Sequence, residues 1–245
     1  MNAAVRILEC SADAAEAPLP GLWDAVSAAR AMGGTAMADF VASGCEIDSR
    51  DVVAGDLFFA LKGAATDGHR FAPMAFEKGA VAAVVERPVD GPHILVRDTG
   101  AALEALGRAA RERMAGAVIG VTGSVGKTGV KEAIFAALDR ASRGHAHRSV
   151  KSYNNHVGVP LSLARMPGTS RFGIFEMGMN HPGEIAALTA QVRPHVAVVT
   201  AIAPAHIEML GSEEAIADAK AEIFAGLEPG GVAIIPADSP HFARL

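Results

Sequence analysis

The segment from residue 117 to residue 132, AVIGVTGSVGKTGVKE, constrains the fold more than any other part of the chain. An apolar run leads into a glycine-containing turn, which is followed by Lys127, Thr128 and a helical pattern. This order predicts a strand, a phosphate-binding loop and a helix, because the backbone N–H groups of the turn and of the helix N-terminus point toward a polyphosphate. Lys127 would face the outer phosphates, and the Thr128 hydroxyl would reach Mg²⁺. The segment therefore predicts binding of ATP or GTP.

The loop matches a short phosphate-loop pattern and not the longer one. G-x-x-G-K-[ST] is present from Gly123 to Thr128, but Val121 stands where the longer pattern has its first glycine. A turn of this composition can also be an ordinary strand-to-helix connection, and Gly129 weakens the start of the helix. The candidate cofactor-binding residues of the loop are Gly123, Ser124, Val125, Gly126, Lys127 and Thr128.

Composition limits the classes of partner. The net charge is −5 and no long basic run is present, so we expect no nucleic-acid partner. No apolar run reaches membrane-spanning length and the N-terminus lacks the pattern of a secretion signal, so we expect a cytoplasmic protein without membrane insertion. Cys10 and Cys45 have no metal-like spacing and are interpreted as reduced thiols.

The chain divides into two predicted units, residues 1–115 and 116–245. In the first, the patterns predict helices over 25–32, 71–78 and 101–114 and strands over 57–61, 80–85 and 94–96. In the second, continuous apolar strands over 117–121, 172–175, 196–200 and 232–235 alternate with helical patterns. We therefore expect an α/β protein, with a small mixed α/β N-terminal domain before a doubly wound P-loop-type parallel-sheet domain. That second domain looks truncated, because four strands are few for an open sheet.

Three further polar residues are candidates for the same site. Glu176 and His206 follow predicted strands, and ligands of open α/β sheets bind beyond the carboxyl ends of the strands. Lys220 lies on an apolar helical stripe, four residues after Ile216 and four before Phe224. A desolvated lysine has a lowered pKa, and the neutral amine can take up CO₂ to give a carbamate, an oxygen ligand for Mg²⁺. Each residue also has a purely structural interpretation. Glu176 would be a solvated strand end, His206 an exposed histidine, and Lys220 a lysine whose ammonium reaches water.

Short motifs along nearly the whole chain together resemble the Mur ligases, the ATP-dependent enzymes that build the peptide stem of bacterial peptidoglycan. In the first unit they are DSR at 48–50, GDLF at 55–58, ALKG at 60–63 and DGH at 67–69. In the second they are the loop at 123–128, NN at 154–155 with GVP at 158–160, EMG at 176–178 with NHPGEI at 180–185, PAH at 204–206 and KAEI at 220–223. Their order and spacing are together more specific than any one of them.

The resemblance implies a role for each candidate. The first unit would hold the UDP end of a nucleotide-sugar peptide through Ser49, Arg50, Lys62, Asp67, Gly68 and His69. In the second, Lys127 and Thr128 would serve the ATP phosphates and Mg²⁺, and Glu176 would help to bind a first Mg²⁺. His206 and carbamylated Lys220 would hold a second Mg²⁺, and Asn154 and Asn155 would line the place where the substrates meet. Lys127, Lys220 and His206 are the implied catalytic residues.

Within the family, the NN-x-x-GVP and EMGMNHPGEI segments resemble the member that joins D-alanyl-D-alanine to UDP-N-acetylmuramoyl-tripeptide through an acyl phosphate. The member that adds the third stem residue shares DSR and DGH and remains an alternative, as does a non-catalytic nucleotide-sugar-binding module. A generic P-loop kinase or GTPase is disfavoured, because it needs no such first unit. The resemblance implies a monomer.

The chain departs from the family pattern in three ways. Ala201 replaces a usual asparagine, and Gly129 stands where a hydroxyl residue often follows Thr128. The family also has a third, C-terminal domain that completes the ATP site, and no match to it is found here. We therefore expect that the 245-residue chain alone does not complete ligation.

Overall fold

The computed structural model describes residues 21–63, 66–204 and 211–245, and it contains two five-stranded sheets within these ranges. The predicted His206 and Cys10 lie outside the described residues. Among the helices described, none is long and apolar enough to cross a membrane.

The first sheet is mostly parallel. Its strands are β2 (Thr35–Ala36), β4 (Gly44–Glu46), β5 (Asp56–Phe59), β6 (Ala82–Val85) and β7 (His93–Leu95), and its helices are α1 (Ala25–Met32), α2 (Ala72–Glu77) and α3 (Thr99–Arg113). The strand order is β2-β7-β6-β5-β4, in which β2 alone is antiparallel. A separate pair, β1 (Trp23–Asp24) and β3 (Val41–Ala42), is antiparallel. The predicted elements are therefore present, with bounds that agree or differ by one or two residues.

Local sequence explains where α1 begins and ends. The Asp24 carboxylate accepts a hydrogen bond from the Ser27 amide at 2.8 Å, which caps the N-terminus of α1. Gly33 ends the helix with a left-handed φ of 63°, a conformation that glycine adopts without strain. The helix then packs Ala28, Ala29 and Met32 into a core that also contains Trp23 and Leu103.

The second sheet is entirely parallel. Its strands are β8 (Ala117–Thr122), β9 (Ala146–Arg148), β10 (Phe172–Glu176), β11 (Val196–Val199) and β12 (Val232–Ile234), in the order β12-β11-β8-β10-β9. Its described helices are α4 (Lys127–Ser142), α5 (Gly158–Ala164), α6 (Glu184–Val192) and α7 (Glu213–Ala221), and a 3₁₀ helix, Glu222–Gly226, continues from α7. The sheet therefore has five strands, one more than the apolar runs predicted.

Helices cover both faces of this sheet. Ile119, Val121 and Ile174 pack against apolar residues of α4, whereas the alternate residues Val118 and Phe175 pack on the other face with α5, α6 and α7. Successive side chains of a strand point to opposite faces, so a strand covered on both sides must be continuously apolar. This is the doubly wound α/β arrangement, and β8 lies at its centre with the phosphate loop at its carboxyl end.

Helix α5 also packs against the first sheet's core. Leu161 and Ala164 belong to the same buried cluster as Trp23, and the Trp23 indole N–H donates to the Ala164 carbonyl at 2.9 Å. The Arg113 guanidinium stacks 3.7 Å from the centre of the Trp23 ring. The division into domains at residues 115 and 116 stays a prediction.

Candidate functional site

The predicted phosphate loop connects the end of β8 to the start of α4. Gly123 and Gly126 have left-handed φ values of 145° and 82°, and Gly126 caps α4. A side chain at Gly123 would overlap the Thr200 hydroxyl. The Ser124 amide donates to the Ala201 carbonyl at 2.8 Å. Because this bond uses the backbone of Ala201, it does not depend on which side chain stands there.

Lys127 and Thr128 are the first two residues of α4, and Thr128 contacts the residue that ends β10. The Lys127 ammonium donates to the Gly123 carbonyl at 2.7 Å, and the Thr128 hydroxyl donates to Oε2 of Glu176 at 2.9 Å. Burial lowers the pKa of Lys127, and the Glu176 carboxylate partly opposes this shift. The sequence-predicted cation, hydroxyl and carboxylate are therefore brought together.

The Glu176 carboxylate is buried and held from several sides. Only 1% of the residue is exposed, its other oxygen accepts from the Asn154 side-chain amide at 2.9 Å, and its backbone amide donates to the Ser149 hydroxyl at 3.2 Å. A methyl group on Gly178 would lie 2.9 Å from Asn154 Cγ, so this glycine leaves room for the asparagine. The carboxylate thus has a fixed orientation before any ligand is present.

A cavity of about 250 Å³ lies beside this group. It is lined by Lys127, Asn154, Asn155, Gly178, Met179, Asn180, Glu184 and Lys220. Lys220 is only 2% exposed, and burial together with the Lys127 charge lowers its pKa to about 8, against an opposing effect of Glu222. The burial predicted from the helical stripe is confirmed. The Asn155 side-chain oxygen accepts from the amides of Val157 and Gly158 at the start of α5, at 3.2 and 2.9 Å.

The donor set fits a nucleotide with a hard cation, although the protein supplies few of its ligands in the described part. Thr128 and Glu176 offer hydroxyl and carboxylate oxygens, the type that Mg²⁺ prefers, and this ion usually takes one or two carboxylates plus phosphate and water. Within residues 21–63, 66–204 and 211–245, no group of three or more His, Cys, Asp or Glu side chains is placed to hold a metal ion. Of the two other predicted ligands, Lys220 lines the cavity and His206 lies outside these ranges.

The candidate residues of the first unit follow the carboxyl ends of β4 and β5. Ser49 is buried, and its hydroxyl contacts the Met74 sulfur at 3.4 Å. Arg50 is exposed and forms a 2.6 Å ion pair with Asp48, which lowers the pKa of that carboxyl to about 2. Ser49 and Arg50 therefore lie at the same edge of the sheet as the segment after β5, because parallel strands share their carboxyl edge.

His69 and Asp67 form a hydrogen-bonded cluster with neighbouring side chains. The Asp67 carboxylate contacts His69 Nδ1 at 2.6 Å and Arg87 at 2.7 Å, and Arg87 is the main reason why the pKa of Asp67 is lowered. Nε2 of His69 accepts from the Glu86 amide at 2.8 Å, so the ring proton of the neutral form lies on Nδ1. Lys62 pairs with the Glu86 carboxylate. Gly68 approaches the backbone at Leu61 too closely for any side chain.

Lys131 and Ser149 complete the surroundings of Glu176 and were not predicted from the sequence. Lys131 lies one helical turn after Lys127, and its ammonium donates to the Ser149 and Lys151 carbonyls at 3.0 and 2.9 Å. The available signal was the spacing of four residues from Lys127, which puts both lysines on one face of α4.

The fold and the site define a doubly wound α/β protein with a P-loop-type strand, loop and helix. Residues 121–245 match the family description "Mur ligase middle domain", and residues 41–119 match "Mur ligase family, catalytic domain". The chain belongs to the Mur ligase family.

Curated relatives are named UDP-N-acetylmuramoyl-tripeptide--D-alanyl-D-alanine ligase. That of Synechocystis sp. is 43% identical over 197 residues, covering 78% of this chain and 43% of the relative. That of Escherichia coli is 40% identical over 204 residues, covering 82% and 45%. The chain thus spans less than half the length of these relatives.

Solved structures agree with the fold. MurF from Acinetobacter baumannii superposes with a TM-score of 0.78 at 35% identity, covering 93% of this chain and 51% of that one. MurF ligase from Thermotoga maritima, solved in complex with ADP, gives a TM-score of 0.69 at 33% identity and covers 82% and 47%.

Proposed function

We propose that the chain supplies the ATP and nucleotide-sugar sites of a ligase that joins D-alanyl-D-alanine to UDP-N-acetylmuramoyl-tripeptide. The observation that carries the proposal is the 2.9 Å contact between the Thr128 hydroxyl and the Glu176 carboxylate beside a cavity lined by Lys127 and Lys220. The names of the relatives support the choice of substrates, and the ADP in the Thermotoga structure supports the nucleotide.

The proposal assigns a task to the main groups that surround the cavity. The amides at the start of α4 and the Lys127 ammonium would bind the outer phosphates, while Thr128 and Glu176 would hold Mg²⁺. Bound ATP would supply a phosphoryl group that converts the tripeptide carboxylate into an acyl phosphate, the acyl donor to the incoming amine. Lys127 and bound Mg²⁺ would offset the repulsion between the two anions that must approach each other. Asn154 and Asn155 would line the meeting place of the substrates.

We further propose that Lys220 is carbamylated and, together with His206, holds a second Mg²⁺. The lowered pKa of Lys220, about 8, supports this, because an appreciable share of the amine is then neutral at slightly alkaline pH. Incubation with ¹³C-bicarbonate should give a carbamate resonance that is absent from the Lys220→Arg variant. Absence of the signal from the unmodified chain at pH 8.5 would refute this part alone.

In the first unit, residues 1–115, we propose that the carboxyl edge of the sheet binds the UDP end of the substrate. Lys62 and Arg50 would face the diphosphate, while the hydrogen bonds of Asp67 and His69 would keep the turn at Gly68 in shape. Ser49, which is buried, would line the base of this UDP-binding edge. We also propose that the protein is monomeric and cytoplasmic, and light scattering should then give the chain's mass of 25.1 kDa.

The proposed ATP site is tested by measuring nucleotide binding by calorimetry, with and without Mg²⁺. Lys127→Ala should weaken Mg²⁺-dependent ADP binding by about 10- to 100-fold, since a charge-assisted contact to phosphate is worth about 1.5–3 kcal/mol. Arg140→Ala, which removes an exposed cation from the other end of α4, is the matched control and should change the affinity less than twofold. Equal affinities for Lys127→Ala and the unmodified chain would refute the proposed site.

A substrate comparison separates the proposed ligase from the member that adds the third stem residue. The chain should bind the UDP-linked tripeptide more tightly than the UDP-linked dipeptide. The reverse preference would favour the alternative ligase, and binding of the sugar nucleotide without any Mg²⁺-dependent nucleotide binding would favour a non-catalytic module.

A further inference from the structure

Lys131 is a lysine with no exposed side-chain surface. It lies on α4, and its ammonium donates to the carbonyls of Ser149 and Lys151 at 3.0 and 2.9 Å. Lysine is rarely buried completely unless its charge is compensated. The roles proposed above make no use of this charge, so its burial needs a separate explanation.

The two carbonyls belong to the segment of residues 149–154, which carries Asn154 to Glu176. The ends of this segment are fixed by backbone bonds, from the Ser149 amide to Ile174 at 3.0 Å and from the Gly178 amide to the Asn154 carbonyl at 2.7 Å. Between them, Lys151 has a left-handed φ of 53°, which is strained for a residue with a side chain. The Lys131 ammonium binds the carbonyl of this strained residue and therefore supports the middle of the segment.

Two carboxylates lie near the Lys131 ammonium. Lys131 Nζ lies 3.9 Å from Oε2 of Glu176, the oxygen that also accepts from Thr128, and 3.3 Å from Oε1 of Glu132. Glu132 is shared with Arg148 at 2.8 Å, whereas Glu176 has only neutral hydrogen-bond donors among its contacts described above. Lys131 thus places a positive charge near Oε2 of the candidate metal ligand, whereas the cavity-lining Asn154 amide donates to the other oxygen, Oε1.

We propose that Lys131 is a positioning residue for the candidate Mg²⁺–nucleotide site. Through two carbonyls it fixes the 149–154 segment, and through its charge it fixes the Glu176 carboxylate, so that Asn154, Glu176 and Thr128 keep their mutual geometry. The effect of Lys131 on Mg²⁺ and nucleotide binding rests on the proposed function. Its effect on the 149–154 segment is a property of the protein without nucleotide. Such outer contacts to a metal ligand commonly change metal affinity by about 10- to 100-fold when they are removed.

The experiment uses Lys131→Met, which keeps the length and removes the charge and its hydrogen bonds. Lys131→Gln keeps a donor without the charge and serves as the milder variant, and Arg140→Met, an exposed cation lost from the same helix, is the control. The first measurement is hydrogen exchange without nucleotide. Peptides covering residues 149–155 should exchange faster in Lys131→Met than in the control, and unchanged exchange there would overturn the proposal.

The second measurement is the ratio of ADP affinities with Mg²⁺ and with a chelator. Lys131→Met should reduce this ratio about tenfold or more, whereas a merely structural role would lower both affinities together and leave the ratio unchanged. An unchanged ratio in both folded variants would overturn the proposal. If the unmodified chain binds no ADP even with Mg²⁺, the proposed function is refuted instead, and the exchange measurement still decides whether Lys131 holds the segment.

Discussion

The Arg165–Glu46 ion pair should be a main support of the contact between the first sheet and helix α5. Arg165 follows the last residue of α5, and its guanidinium donates to the Glu46 carboxylate at 2.7 Å and to the Cys45 carbonyl at 2.6 Å. The two side chains are only 19% and 7% exposed. The other oxygen of Glu46 accepts from the Ile47 amide at 2.8 Å. Arg165→Met would leave a nearly buried carboxylate and a carbonyl without their charged donor.

Removing one partner of a buried ion pair destabilises proteins by about 3–5 kcal/mol. Because Arg165 is partly exposed, we expect the lower end of that range, about 3 kcal/mol. With a urea dependence of about 3 kcal/mol/M for a chain of this size, the unfolding midpoint should fall by about 1 M. Combining Arg165→Met with Glu46→Gln should recover part of the loss, with a coupling free energy of about 1–3 kcal/mol.

The assay uses the fluorescence of the chain's single tryptophan, Trp23. Its indole donates to the carbonyl of Ala164, the residue before Arg165, so its emission reports on the contact that the variant disturbs. Arg108→Met is the matched control, because its 3.4 Å pair with Glu104 is exposed and should contribute less than about 0.5 kcal/mol. A midpoint shift as small as that of the control, or a coupling near zero, would refute the reasoning.

Three more predictions concern the candidate site. Gly123→Ala should abolish Mg²⁺-dependent ADP binding and lower the unfolding free energy by about 2 kcal/mol or more, because the new methyl group overlaps the Thr200 hydroxyl at a left-handed φ. At Gly129, by contrast, a new methyl group meets no atom within 4 Å. Gly129→Ala should therefore stabilise α4 by about 0.5–1 kcal/mol, as measured by urea titration. The Lys220 pKa is lowered from 10.5 to about 8, so the buried charge destabilises the fold below pH 8 and this effect fades between pH 8 and 10.5. Lys220→Met should therefore be more stable than the unmodified chain at pH 7, by up to about 3 kcal/mol, and this difference should shrink at pH 10; a constant difference would contradict the assignment.

The sequence predicts the central part of the second sheet well because buried parallel strands carry an unmistakable pattern. Residues 117–121 and 172–175 are continuously apolar, and the structure places them side by side as β8 and β10. Strand β9, Ala146–Arg148, was missed because its histidine and arginine break any apolar run. In the described part of the chain it is an edge strand that pairs with β10, so its extended conformation follows from tertiary pairing and not from local pattern.

The candidate site could be predicted only as far as periodicity and motifs reach. The helical stripe of α7 located Lys220, whose burial the structure confirms. The same type of argument did not identify Lys131, because a polar residue beside other polar residues at the start of a helix is usually exposed. Its burial depends on the path of the 149–154 segment, and that path depends on the left-handed backbone at Lys151, which no residue type in the segment signals.

The electrostatics of the site restrict which ligands can be bound at the same time. Burial lowers the pKa of Lys220, and the Lys127 charge lowers it further, because the two cations line one cavity. A bound polyphosphate would reverse this effect and favour the protonated ammonium of Lys220, and it would therefore oppose carbamylation. A divalent cation acts in the opposite direction, because it favours an anionic oxygen ligand. The proposed carbamate and a bound nucleotide are thus compatible only when Mg²⁺ accompanies them, which makes the metal geometry set by Thr128 and Glu176 the condition on which both proposals depend.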